Sequence, residues 1–150
     1  MGLRRPAHCA QHAAARDAAP DRGRKRHRDL RRPPLRVAVC PVEELPPGEL
    51  RAVAVDRRSI CLINSDGRFY AVRNRCPHQG AQLAKGTVSG TMVPSAPHQL
   101  VYGMEGRVLR CGWHAWEFDL ETGNSLFDPD GQRVKTYPAG VTDGVVWVDA

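Results

Sequence analysis

The sequence predicts an all-β fold of antiparallel strands, and three observations carry that prediction. From Leu35 onward the apolar residues come in short runs broken by Gly, Pro, Asn and Asp, the texture of strands joined by tight turns. Two dipeptides, Asp66-Gly67 and Asp143-Gly144, stand between such runs. Each is a strong hairpin signal, because a type I′ turn needs positive φ at both of its central residues. No segment longer than a turn or two repeats apolar residues with a 3.6-residue period, so helix should be scarce.

In chain order, LRVAVC (35–40) opens the fold and VEELPPGE (42–49) breaks it. RAVAV (51–55), SICLIN (59–64) and RFYAVR (68–73) give three strands, the last two joined through Asp66-Gly67. Residues 86–110 read as two strands, Val88 to Val93 and Arg107 to Arg110, connected by an exposed loop through Pro94 and Pro97. RVKTYP (133–138) follows, then a break at Pro138 and Gly140, and VVWVD (145–149) closes the chain through Asp143-Gly144. Phe69, Tyr70 and Trp147 lie in these strands and are expected in the core.

A chain of 150 residues makes one ordinary domain. Its formal charge of +6 suggests a nucleic-acid partner until the charge is located. Residues 1–36 hold 11 of the 22 Lys and Arg and only three acids, Asp17, Asp21 and Asp29, a net of +8. Residues 37–150 carry 11 bases and 13 acids, a net of −2. The body is mildly acidic, so no basic face follows from the total and no nucleic-acid partner is expected. Residues 1–34 are rich in Ala and Arg, lack aromatic residues and show no apolar periodicity, which predicts a disordered tail; an over-extended start of translation is the plain alternative. Arg4-Arg5 is not followed by an apolar stretch, so export is not expected, and no run approaches the roughly 18 to 20 apolar residues of a membrane span. The five cysteines, an odd number without dense spacing, suit a reduced cytoplasmic setting.

The chemistry lies in two short stretches. RCPHQG (75–80) places Cys76 and His78 as C-x-H, and RCGWHAWEFDLETG (110–123) places Cys111 and His114 as C-x-x-H, with 32 residues between the pairs. Each pair follows a predicted strand and enters a loop containing glycine, so two strand ends can bring four ligands together. Two readings are open at this point, a mononuclear zinc site or a two-iron, two-sulfide cluster with mixed ligands. Zinc sites usually pair like ligands within a loop, as C-x₂₋₄-C and H-x₃₋₅-H. Here each loop offers one of each, which suits a dinuclear centre with both cysteines on one iron and both histidines on the other.

CPHQG together with CGWHAWEFDLETG resembles the paired cluster-binding loops of Rieske [2Fe–2S] proteins, above all Rieske-type ferredoxins and the Rieske domains of ring-hydroxylating oxygenases. The resemblance runs over about residues 35–150. It implies a Rieske fold, an antiparallel β base with a small cluster-binding subdomain inserted at about residues 74–119. It also implies one [2Fe–2S] cluster held by Cys76, His78, Cys111 and His114. The gap between the ligand pairs is longer than in compact members of the family, and its extra residues, Pro94 to Met104, should extend a hairpin. Rieske proteins of the cytochrome complexes carry a further cysteine in each loop; Ala81 and Trp113 stand at those positions and cannot form that bridge. Trp116 stands where that type has a serine donating to a cluster sulfide. Fewer such donors place the potential toward the low end of the family's span of roughly −150 to +300 mV. Histidine ligation predicts a potential that falls at alkaline pH. By the same resemblance the outer nitrogens of His78 and His114 reach the surface as a docking tip.

The remaining candidates have plainer roles. Gly80 and Gly112 let backbone amides approach the cluster; Trp113 and Trp116 shield its base. His98 has no second ligand near it, and Cys61 is expected as a small buried hydrophobe. Neither Cys61 nor Cys40 is expected as a ligand. No nucleophile elbow and no phosphate-cradling glycine loop occurs. The 34 residues after Trp116 contain no histidine for the mononuclear iron of an oxygenase. The sequence thus predicts an electron carrier without a catalytic site, and the resemblance implies that it accepts from a flavin reductase and delivers to an oxygenase or related redox partner. A metal-stabilised interaction module and a cluster-bearing subunit of a larger enzyme complex are the alternatives.

Overall fold

The computed structural model describes residues 36–150, so the expectation of a disordered tail over 1–34 falls outside the described residues. The strands run in chain order as β1 (Arg36–Pro41), β2 (Leu50–Val55), β3 (Arg58–Ser65), β4 (Arg68–Arg73), β5 (Thr87–Val93), β6 (Val101–Arg110), β7 (Glu117–Asp119), β8 (Thr136–Tyr137), β9 (Ala139–Thr142) and β10 (Val145–Asp149). Among the described residues, helix is confined to two 3₁₀ turns, Val42–Glu44 and Leu83–Lys85. The strands form three antiparallel sheets, ordered β1-β10-β9, β2-β3-β4-β8 and β5-β6-β7.

β3 organises the core because it is apolar on both faces. Alternate side chains of a strand point to opposite sides. Ile60 and Leu62 therefore pack with Val146 and Val148 of β10 and with Leu45, while Cys61 and Ile63 face Leu83, Leu109 and Phe118. Each of these residues is fully buried, worth about 1.5 to 3 kcal/mol for a large aliphatic side chain. β4 divides likewise, with Val72 on the second side and Ala71 on the first. The second cluster also contains Cys76 and Cys111, so the core that holds the base together reaches the two cysteine loops.

β4 pairs with β8 across a segment that holds the whole β5-β6-β7 sheet and both loops. Asp66-Gly67 and Asp143-Gly144 form their turns with positive φ at both residues, 49° and 86°, and 51° and 73°. The turn Asp56-Arg57 between β2 and β3 has the same geometry, at 43° and 64°, without a glycine to announce it.

Several elements differ from the sequence expectation. β6 begins at Val101 rather than Arg107, because its outer half pairs with β5 through Val93↔Val101 and Thr91↔Gly103. The register then shifts, and Met104 and Gly106 turn left-handed, at 55° and 69°, before the inner pairing resumes at Ser89↔Val108. The long connection between the ligand pairs is thus a bent hairpin whose tip, residues 94–100, is exposed. The break after Pro138 becomes β9, which pairs with β10, and RVKTYP contributes only the two residues of β8. Trp147 belongs to neither core cluster: Val146 and Val148 take the inner face of β10, while Trp147 lies under the Arg36 guanidinium at 3.8 Å and donates to Thr142 Oγ1 at 3.1 Å.

Candidate metal centre

Cys111 directly follows β6 and Cys76 is the third residue after β4, and the two loops they open are built alike. The Cys76 N–H donates to the Ala81 carbonyl at 2.8 Å, and the Gly80 N–H donates back to the Cys76 carbonyl at 2.8 Å. In the second loop the Cys111 N–H donates to the Trp116 carbonyl at 2.8 Å, and the Ala115 N–H donates to the Cys111 carbonyl at 3.1 Å. The fourth residue after each cysteine is left-handed, Gly80 at φ 79° and Ala115 at φ 55°. The sequence shows this match at Gly80 and hides it at Ala115, since alanine takes that conformation only against a steric cost.

The loops bring together all four residues singled out by the sequence and give them opposite exposures. Cys76 and Cys111 are each 2% exposed, whereas His78 and His114 face solvent. The imidazoles stand edge to face with ring centres 4.9 Å apart. Burial is the main influence raising the Cys76 thiol above its ordinary pKa; the neighbouring Cys111 thiol adds to the rise, and the His78 and Gln79 backbone N–H groups oppose it by favouring the thiolate. Two thiols side by side in an apolar floor, with amide donors aimed at sulfur and two imidazoles above, are a donor set for iron and sulfide.

Neighbouring residues fix this arrangement. Buried Asn74 donates to Ser59 Oγ at 3.0 Å and accepts from the Ala84 N–H at 2.8 Å, tying the first loop to β3 and to the 3₁₀ turn. Trp116 stacks on the His78 ring at 4.8 Å and 17° and leans on Phe118 and Phe127, as a shielding role requires. Trp113 does not pack the base: it is 65% exposed and touches His114 only edge-on at 6.3 Å. Ala81 is buried beside Cys76 while Trp113 projects outward. His98 lies in the exposed hairpin tip, and Cys40 and Cys61 are buried free thiols, the latter pushed up to about 12 by burial.

A groove flanks each loop. Beside His114 a cavity of about 550 Å³ is lined by Met92, Val93, Met104, Trp116 and Phe127, with Met92 51% and Phe127 81% exposed. On the His78 side, two adjoining grooves of about 910 and 400 Å³ are lined by Arg57, Arg58, Arg73, Arg75, Arg133 and Lys135 and by no carboxylate. The near-neutral total of the body hides this basic face.

A model of the Rieske [2Fe-2S] domain matches residues 36–138. The chain belongs to the Rieske family. Its cofactor is therefore one [2Fe–2S] cluster, which the paired thiols and imidazoles fit, and zinc gives way to iron. Among relatives of this Rieske chain, the 3-phenylpropionate/cinnamic acid dioxygenase ferredoxin subunit of Photorhabdus laumondii is 34% identical over 110 residues, covering 73% of this chain and 90% of its own. The ferredoxin in a complex of reduced oxygenase and oxidised ferredoxin of carbazole 1,9a-dioxygenase is 25% identical with a TM-score of 0.59, over 76% of this chain and 92% of that one. A Mycobacterium tuberculosis protein assigned as an NADH-dependent nitrite reductase small subunit is 27% identical with a TM-score of 0.63, over 78% of this chain and 96% of that one. Among the described residues, no helix is long and apolar enough to cross a membrane.

Proposed function

We propose that this Rieske chain carries single electrons in the cytoplasm as the ferredoxin of a dioxygenase-type system, with Cys76 and Cys111 holding the inner iron of the cluster and His78 and His114 the outer one. The observation that carries the ligand assignment is the contrast in exposure, buried thiols beneath solvent-facing imidazoles, supplied by two loops of one design. The segment of about 74–119 acts as the cluster-binding unit, and the base formed by the flanking strands fixes its two loops. Bound there, the cluster supplies a reversible one-electron couple. The protein's own residues exclude water from the thiolates, orient His78 through Trp116 and present both imidazoles to a partner. A flavin-dependent reductase is the donor and an oxygenase the acceptor. The relatives support this reading, since the Photorhabdus protein is named as a dioxygenase ferredoxin subunit and the carbazole system pairs its ferredoxin with an oxygenase.

Anaerobic titration with dithionite tests the proposal. The holoprotein should take up a single electron, return it to ferricyanide and survive repeated cycles. Cys76→Ser, Cys111→Ser, His78→Ala and His114→Ala should each abolish the uptake, whereas His98→Ala and Cys40→Ala should keep it. A cluster that accepts no electron would contradict carriage, and uptake surviving loss of any of the four residues would contradict the ligand set. The likeness to the nitrite reductase small subunit favours a second reading, a cluster serving a larger reductase; stable co-purification with a larger polypeptide would mark it.

A further inference from the structure

We infer that the basic face beside His78 is the docking surface for an acidic redox protein, which seats its own redox centre against that imidazole. The inference rests on the electron-carrier reading and adds to it the chemistry of a partner. Six of the 11 bases in residues 37–150, namely Arg57, Arg58, Arg73, Arg75, Arg133 and Lys135, line the two adjoining grooves. All six are exposed, and no carboxylate lines either groove. The other arginines of the body, Arg51, Arg68, Arg107 and Arg110, each pair with a glutamate or aspartate, whereas none of the six forms an ion pair among the described residues. In a body of net charge −2, such segregation concentrates positive potential where it attracts an acidic surface and orients it. The groove lined by Arg75 also contains His78 and Cys76, so the charge that draws the partner lies at the electron exit.

The test uses the full-length holoprotein and a reduced plant-type ferredoxin, a strongly acidic carrier whose low potential makes transfer downhill. One electron passes from the reduced probe to the oxidised protein, and no bond is made or broken. Stopped-flow rates should fall steeply with salt, by about tenfold or more between low and physiological ionic strength. At about 0.1 M salt, where the screening length is about 10 Å, Arg75→Glu should slow transfer at least about threefold. Arg68→Glu makes the same change in net charge at the other end of β4, about 16 Å along the strand from Arg73, and should leave the rate unaltered. Both variants carry the same residues 1–36, so the comparison turns on the two substitutions alone. Equal effects of the two substitutions, or no dependence on salt, would overturn the inference. Inhibition by inorganic phosphate but not by chloride at matched ionic strength would assign the groove to a small anion and overturn it as well. A holoprotein that even dithionite cannot reduce would instead fail the electron-carrier reading itself.

Discussion

Gly80 and Gly112 stand close to the cysteines for different reasons. Gly80 has φ 79°, and a Cβ there would meet only the Arg75 side chain at 3.4 Å, an ordinary contact. A Cβ on Gly112 would lie 2.8 Å from the Lys85 carbonyl oxygen, a backbone atom that cannot swing aside. Gly80→Ala should therefore cost about 1 to 2 kcal/mol, the penalty for a left-handed alanine, and keep its iron. Gly112→Ala should push the second loop off the turn Leu83–Lys85 and lose iron. Iron content and thermal midpoints of the two purified variants check this, and the reverse order would show that Gly112 has room the contact denies. Positive φ at Gly80 and the Lys85 carbonyl at Gly112 each favour glycine independently of any amide approach to the cluster.

At the scale of elements, the loops depend on how the strands end. β4 stops at Arg73 and hands the chain to Asn74, whose side chain spans from Ser59 to the Ala84 N–H. Asn74→Ala leaves the half-buried Ala84 N–H without its acceptor and should cost about 1 kcal/mol. The measurement is a lowered urea midpoint with an unchanged denaturant slope; a midpoint equal to that of the parent protein would remove Asn74 from the account. The hairpins marked by Asp-Gly were legible because that dipeptide meets a backbone requirement. The Asp56-Arg57 turn meets the same requirement without a glycine, and the outer half of β6 is visible only once it pairs with β5. β7 and β9 are short strands whose existence depends on their neighbours, β6 and β10.

For the whole molecule, the gathering of the four candidate ligands was legible because two Cys/His pairs that follow strands admit few chemical readings. The surface position of the histidines came through the family resemblance. Spacing alone cannot say that the cysteines face the core shared with Cys61, Leu83 and Phe118 while the histidines face water. Nor can a summed charge locate six bases beside one loop and an apolar groove beside the other. Electron carriage by this chain rests on a mixed-ligand two-iron cluster in which the histidines hold the outer iron. The most direct test is an EPR spectrum of anaerobically purified, dithionite-reduced protein, with iron and acid-labile sulfide assayed on the same sample. The account predicts a rhombic signal with an average g below that of all-cysteine clusters, and two irons and two sulfides per chain. A silent spectrum from protein holding stoichiometric zinc and no sulfide, after expression with ample iron, would contradict it.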